Sequence, residues 1–154
     1  MSTGAVSAVT QTQAARENTV AELNQKGMDL LLKMVGKKRA VDPVNAAVAA
    51  GHPSLPMVKT LVNDCYGEVW QRPGLSLHQR SLITVAMMLA VNRRDELENH
   101  IRGALANGVT EQELWELANH AIWYLGLPSI ATWSEAMTKA TADDPAPSNS
   151  GGRS

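Results

Sequence analysis

The amino-acid sequence predicts an all-α protein, and three observations support that prediction. Apolar residues recur three and four positions apart through most of the chain, which is the spacing of one helix face. Residues 76–79 and 110–113 read Ser-x-x-Gln and Thr-x-x-Glu, the capping-box pattern that begins helices. No stretch alternates apolar and polar residues with the period of two that is typical of strands. These patterns predict a compact domain of about six or seven helices.

The first half of the chain contains three predicted helical segments. The first has an apolar stripe that ends at Gly36: Val20, Leu23, Leu30, Leu31 and Met34. Asp42-Pro43 then opens a short Ala-rich turn of helix that ends at Gly51, because Asp is a good cap and Pro suits the first helical position. The third has a long stripe that ends at Arg72-Pro73-Gly74: Val58, Leu61, Val62, Cys65 and Val69.

The second half contains four predicted helices. The first capping box precedes an apolar stripe made of Leu82, Ile83, Val85, Ala86, Leu89 and Ala90. The next helix carries Leu97, Ile101, Ala104 and Leu105 and ends at Asn107-Gly108, which suits a left-handed turn. The second capping box begins a helix that carries Leu114, Leu117, Ala118, Ala121, Ile122 and Leu125 and ends at Gly126. Pro128 opens the last helix, with Ile130, Trp133 and Met137 on one side.

Length and composition fit a single domain. Of the 154 residues, 44% are hydrophobic, which is enough for a core. Residues 1–13 are small and polar, and residues 141–154 are rich in Pro, Ser, Gly and Asp, so both are predicted to be flexible tails. The folded domain is therefore predicted at residues 14–140. Four Trp and no Phe predict a homo-oligomer, because Trp is rarely enclosed fully and exposed aromatic patches mark interfaces.

Charge and cysteine content exclude several classes of protein. The net charge of -1 argues against nucleic acid as the main partner, since phosphate binding needs a basic excess. The single cysteine, Cys65, cannot form an intrachain disulfide or a cysteine-based zinc site, and its apolar stripe predicts a structural role. No apolar run approaches the roughly 20 residues that span a bilayer, and the N-terminus lacks a secretory pattern. We expect a cytoplasmic protein that does not act at a membrane.

Two pairs of titratable side chains stand one helical turn apart and are candidates for acid–base chemistry. Glu96 and His100 lie at the edge of an apolar stripe, with Asn107 on the same flank. The carboxylate raises the pKa of the imidazole and burial opposes this, so the pair could be a tuned general acid/base. The alternative is a half-buried His bonded to a helical neighbour. His120 and Tyr124 repeat the spacing on the next predicted helix and could equally be a packed helix flank.

Candidate substrate-binding residues surround a Pro-Gly turn. Glu68, Trp70, Arg72 and Arg80 cluster there in the sequence. The planar guanidinium of Arg binds both oxygens of a carboxylate, although an Arg near a turn is commonly a surface residue.

Several cofactor and metal motifs are absent from the sequence. It contains no dinucleotide fingerprint, P-loop, nucleophile elbow or HExxH pair. Glu96 and His100 could supply two metal ligands, but no third and fourth ligand is evident, so no metal is predicted. The residues point to a cofactor-free site made of His, Glu, Arg and Tyr, or to no active site.

Residues 67–136 strongly resemble the carboxymuconolactone decarboxylase family. The resemblance is carried by Gly67-Glu-Val-Trp70, Arg72-Pro-Gly-Leu-Ser76, Arg80-Ser81-Leu82, Glu96-Leu97 with His100, Asn107-Gly-Val-Thr110, Tyr124, Gly126 and Pro128. Extended upstream, it covers about residues 20–140. It implies an alkylhydroperoxidase D-like helical fold, a homo-oligomer, often a trimer or hexamer, and loss of carbon dioxide from 4-carboxymuconolactone. The peroxidase branch of the superfamily has a CxxC dithiol before the matching His, whereas this chain reads Arg93-Arg-Asp-Glu96, so peroxidase activity does not carry over.

The resemblance implies a small lactone or carboxylic acid as substrate and assigns roles to the candidates. His100, oriented by Glu96, would donate a proton, and Tyr124 or His120 would stabilise charge on the lactone oxygen. Arg72 or Arg80 would hold a carboxylate, and Trp70 and Trp123 would wall a dry pocket. Glu68 and Asn107 are the further substrate-binding candidates. The alternatives are an isomerase or other lyase on a related lactone or unsaturated acid, and a non-catalytic oligomer that binds a small acid.

Overall fold

The computed structural model describes residues 25–42, 46 and 52–142. In this part of the chain every regular element is helical and no strand is present, so the all-α prediction is confirmed. The described residues form two compact units, one made of 25–32, 36–42, 46 and 52–72 and the other of 33–35 and 73–142. No helix within the described ranges is long and apolar enough to cross a membrane.

Helix α1 covers residues 25–35, of which 25–32 belong to the first unit and 33–35 to the second. Leu30 and Leu31 are buried as the stripe predicted, and Gly36 ends the helix with a φ of 78°, a conformation that favours glycine. A π-helical turn follows at Lys37–Val41. Val20 and Leu23, and nearly all of the predicted Ala-rich turn, lie outside the described residues.

The prediction of one continuous helix before the Pro-Gly turn was wrong. Helix α2 covers Leu55–Thr60, a π-helical segment follows at Leu61–Tyr66, and a 3-10 turn covers Val69–Gln71. In the π-helical segment the hydrogen bond runs five residues back, as from the Gly67 amide to the Val62 carbonyl at 2.8 Å. This wider turn changes the phase of the stripe, so that Val62, Tyr66 and Trp70 are buried. Leu61 and Val69, which were expected inside, are exposed.

The second unit contains four helices, as predicted for this half of the chain. They are α3 at Leu77–Ala90, α4 at Arg94–Ala106, α5 at Glu111–Leu125 and α6 at Pro128–Ala142. Helix α4 packs against α3 and α6, and α5 packs against the same two helices. The core is built from their inward faces: Val85, Leu89, Leu97, Ile101, Ala104, Val109, Leu114, Ala118, Trp133, Ala136, Met137 and Ala140.

Both predicted capping boxes are present and set where α3 and α5 begin. The Ser76 hydroxyl accepts a hydrogen bond of 3.2 Å from the backbone N–H of Gln79. The Thr110 hydroxyl accepts one of 3.2 Å from the backbone N–H of Glu113. Ile83 and Ile130 depart from the predicted stripes, because 46% and 42% of these residues are exposed. Helices α3 and α6 therefore each present an isoleucine to solvent.

Candidate active site

The predicted site residues are divided between the two units. Glu68, Trp70 and Arg72 belong to the first unit. The second unit carries the other seven, which are Arg80, Glu96, His100, Asn107, His120, Trp123 and Tyr124. Helices α3, α4 and α5 therefore present most of the candidate chemistry.

His100 lies half-buried in the middle of α4, and Glu96 lies exposed one turn before it. Leu97 and Ile101 face the core, which places His100 at the edge of the buried face. Burial lowers the pKa of His100 below its ordinary value of 6.5, and the charge of Glu96 opposes this shift without overcoming it. In the free protein, burial therefore favours the neutral imidazole over the imidazolium.

Asn107 ends α4, and its side chain turns toward α3. Its Nδ2 donates a hydrogen bond of 3.1 Å to the hydroxyl of Ser81, which is buried. Its Oδ1 is buried without a hydrogen-bond partner among the described residues. Ser81 directly follows Arg80, a half-buried residue of α3, so this bond links the carboxyl end of α4 to the segment that carries a candidate carboxylate anchor.

The second candidate pair, His120 and Tyr124, lies on the exposed side of α5. The rings of His120 and Tyr124 are tilted, with centroids 5.0 Å apart. Tyr124 is 75% exposed and Trp123 is 88% exposed, so Trp123 does not wall an enclosed pocket within one chain.

An open groove of about 460 Å³ runs between α3 and α5. Leu82 lines it from α3, and the other lining residues come from the start of α5 and its first three turns: Thr110, Gln112, Glu113, Glu116, Leu117 and His120. Of the four predicted catalytic residues, only His120 lines this groove. The groove is thus distinct from the face of α4 that carries Glu96 and His100.

A contact between His78 and Glu113, which sequence reasoning missed, joins the starts of α3 and α5. Nε2 of His78, in the first turn of α3, lies 3.0 Å from Oε1 of Glu113, in the first turn of α5. Hydrogen bonds from the Thr110 amide and hydroxyl, with the contact to His78, lower the pKa of Glu113 to about 2. The sequence revealed Glu113 as a cap, but the pairing depends on two helices meeting, and no local pattern signals that.

In the first unit, Trp70 is a core residue. It is 7% exposed and stacks on Tyr66, with ring centroids 5.6 Å apart. Cys65 is half-buried beside it: burial raises the pKa of the thiol, and a hydrogen bond with Trp70 opposes the shift. Glu68 and Arg72 flank Trp70 in sequence and are exposed.

Comparison with known proteins identifies the family of this chain. Residues 56–139 match the carboxymuconolactone decarboxylase family, and this range contains all ten predicted site residues. The chain belongs to this family. It is 55% identical over 64 residues to the 4-carboxymuconolactone decarboxylase of Acinetobacter baylyi, a match that covers 42% of this chain and 48% of that protein.

A second relative of this chain is the nitrosuccinic acid decarboxylase of Metarhizium robertsii. It is 47% identical over 81 residues, covering 51% of this chain and 54% of that protein. The chain thus spans about half the length of the curated relatives it matches. Within the described ranges, no group of three or more His, Cys, Asp or Glu side chains is arranged to hold a metal ion.

Proposed function

We propose that this chain is a cofactor-free decarboxylase that removes carbon dioxide from a carboxylated unsaturated lactone such as 4-carboxymuconolactone. The observation that carries the proposal is the half-buried His100 one turn from Glu96, in a family member for which two curated relatives are named decarboxylases. A titratable group at the edge of a core, beside one charged partner, is the arrangement expected of a tuned acid or base.

The proposed reaction needs no cofactor because the lactone itself accepts the electrons. The bond between the ring carbon and the departing carboxylate breaks, and its electron pair enters the conjugated ring to give a dienolate. Carbon dioxide leaves, and one proton must then return to carbon. The protein must hold any remaining carboxylate, stabilise charge on the lactone oxygen and supply that proton.

His100 is the proposed proton donor, and its burial gives it a specific property. The imidazolium is disfavoured in the free protein, so a proton that it does carry is more acidic than that of an exposed His. An anionic substrate bound nearby would favour the imidazolium in the same way that Glu96 does. The group would thus be charged mainly when substrate is bound.

The remaining roles fall to polar groups of α3 and α5. Arg80 is the proposed anchor for the substrate carboxylate, since it lies on α3 in the same unit as His100. Tyr124 and His120 are the proposed donors to the lactone oxygen. Substituting Lys for Arg80 or for Arg72 keeps the charge but removes the bidentate fork, so the variant with the larger rise in KM identifies the anchor.

A second substrate class is favoured by the nitrosuccinic acid decarboxylase match. A nitro group, like a conjugated lactone, can accept the electron pair that carbon dioxide leaves behind. The same His100 proton donor and Arg80 anchor would serve a nitro acid. An isomerase or other lyase on a related lactone, and a protein that only binds a small acid, are the competing functions.

A substrate panel tests the proposal. Carboxylated butenolides, plain butenolides and nitro dicarboxylic acids are followed by ultraviolet absorbance and by release of carbon dioxide. We expect turnover of a carboxylated member and a fall of roughly 10²–10⁴-fold in His100→Ala. His52→Ala is the matched control, because His52 is exposed and bonded to Ser54 outside the candidate site. A panel member that raises the melting temperature without being turned over would support the binding function instead.

Two further predictions from the sequence extend the proposal to the whole protein. We infer a homo-oligomer, with a trimer or hexamer implied by the family resemblance, and a cytoplasmic location. The exposed aromatic residues of α5 support the oligomer, because large exposed apolar patches mark interfaces.

A further inference from the structure

Gly103 lies within α4, where glycine is an unfavourable residue. Glycine destabilises the interior of a helix relative to alanine, so this position needs a packing reason. A Cβ atom at position 103 would lie 2.6 Å from Cε of Met34 and 3.1 Å from its Cβ. Met34 stands near the end of α1, belongs to the same unit as α4 and is 3% exposed. The Met34 side chain is thus seated directly on the backbone of α4, in the space that a side chain at position 103 would fill.

Helical geometry places this contact on the face of α4 that carries the candidate catalytic pair. At about 100° per residue, Glu96, His100, Gly103 and Asn107 fall within about 60° of one another around the helix axis. His100 stands one turn before Gly103, and Asn107 stands one turn after it. Met34 therefore meets this face between His100 and Asn107.

His100 is half-buried, although the next position along its face has no side chain. The apolar bulk at that position is the Met34 thioether, which packs well in irregular gaps. Leu97 and Ile101 point elsewhere, because they are turned from His100 by about 60° and 100° and lie in the core. Burial disfavours the charged imidazolium, and it has the larger of two opposing effects on the pKa of His100.

From this packing, we propose that Met34 is a positioning residue of the candidate active site: its side chain, seated on Gly103, covers His100 and keeps the imidazole in an apolar environment. Met34 and Glu96 then act on His100 in opposite directions, since the apolar cover disfavours the imidazolium and the carboxylate favours it. The role of Met34 in turnover rests on the proposed function, whereas the cover over His100 does not.

The charged groups around α4 leave Glu96 as the one that acts on His100. Helices α3 and α6 pack against α4, and residues 33–35 belong to the same unit. The titratable side chains that these elements carry are Lys33, His78, Arg80, Glu135 and Lys139. His78 and Arg80 stand at the start of α3, beside the end of α4 and about two turns from His100. Truncating Met34 therefore changes the burial of His100 without removing a charge.

An NMR titration of the His100 ring in the free, full-length protein tests the cover. The ring resonance is assigned by its loss in His100→Ala. We expect the pKa of His100 to rise toward 6.5 in Met34→Ala, because the ring becomes more exposed to water. Met34→Leu keeps the apolar bulk and should keep the wild-type pKa. An unchanged pKa of His100 in a folded Met34→Ala protein overturns the proposal.

Met137→Ala is the matched control, because it makes the same truncation at an equally buried methionine on another side of α4. Met137 is 4% exposed and lies on α6. Helix α6 bonds to α4 through Arg102, whose Nη1 donates to the Ala140 carbonyl at 2.9 Å, and Arg102 is about 200° around α4 from His100. Met137→Ala should leave the pKa of His100 in place. An equal rise in both variants would indicate general loosening and would overturn the proposal.

A double-mutant cycle tests the seat of Met34 on Gly103. The added Cβ of Gly103→Ala forces the Met34 Cε to move, so this change should destabilise wild type in urea. The same change should cost less stability in a Met34→Ala background, where the side chain beyond Cβ is gone. Additive losses would overturn the direct contact. Circular dichroism checks that each variant is folded, and Met34→Val serves as the milder variant if Met34→Ala is not.

Turnover tests the link to the reaction separately. The alkaline limb of kcat/KM reports the acid of the free enzyme, so with a panel substrate it should move to higher pH in Met34→Ala, opposite to the shift expected for Glu96→Gln. A limb that stays in place while the pKa of His100 rises would overturn the role of Met34 in turnover and leave the cover intact. If wild type turns over no panel member, the proposed function fails, and the titration alone decides the cover.

Discussion

At the residue scale, His100 shows how burial can outweigh a neighbouring charge. Glu96 lies one turn away and favours the imidazolium, yet burial lowers the pKa of His100 overall. Both effects were visible in the sequence as a helical spacing and a stripe edge. Their relative size was not, because it depends on how much of the ring the surrounding helices cover.

The Glu96→Gln variant tests the electrostatic role of this carboxylate. Removing its charge should lower the pKa of His100 further. Because the imidazolium is the proposed donor, turnover should be lost as pH rises through that pKa, and the alkaline limb of the pH profile should move to lower pH. Glu135→Gln is the control, since Glu135 lies on α6, where it pairs with Lys139 and with Arg94 at the start of α4. If the alkaline limb of the pH profile stays at the same pH in Glu96→Gln, the electrostatic effect of Glu96 on His100 is contradicted.

Gly27 tests packing in the first unit. A Cβ atom at this position would lie 2.1 Å from the Val62 carbonyl oxygen, a backbone atom that cannot turn aside. Gly27→Ala should therefore lower the free energy of unfolding by about 1–3 kcal/mol or more, as overpacking does. Urea unfolding measures this, with Gly74→Ala as the matched control because nothing lies within 4 Å of a Cβ there. Equal stability of the two variants would count against this close contact.

At the scale of elements, the start of α5 is stabilised by an ionised carboxylate. The folded-state pKa of Glu113 is about 2, below its ordinary value of 4.5. A carboxyl group whose pKa is lower in the folded state stabilises the fold above its unfolded pKa, and this contribution is lost as pH falls from 4.5 toward 2. Stability in urea at pH 5 and pH 3 should therefore fall more for wild type than for Glu113→Gln. Glu111→Gln, in the same turn but outside the capping box, should behave like wild type; a Glu113→Gln protein equally sensitive to acid would refute the assignment.

At the scale of the whole molecule, the proposed chemistry places the electron sink in the substrate. The protein is then needed only to bind, exclude water and move a proton. Exhaustive dialysis against a chelator should therefore leave turnover unchanged within about twofold, well below the tenfold that 1.4 kcal/mol represents. Loss of turnover that returns with one added divalent metal would show that the reaction uses a metal ion.

The sequence by itself determined the helical class, the starts of α3, α5 and α6, the ends of α4 and α5, and the family, because capping and apolar spacing are local properties. Ser76, Thr110 and Gly126 mark boundaries whatever packs around them. Only the tertiary structure decided which residues meet. The π-helical segment moved Trp70 into the core, since a five-residue hydrogen bond changes the phase of a stripe. His78 and Glu113 pair because α3 and α5 begin side by side, a contact that depends on packing rather than spacing.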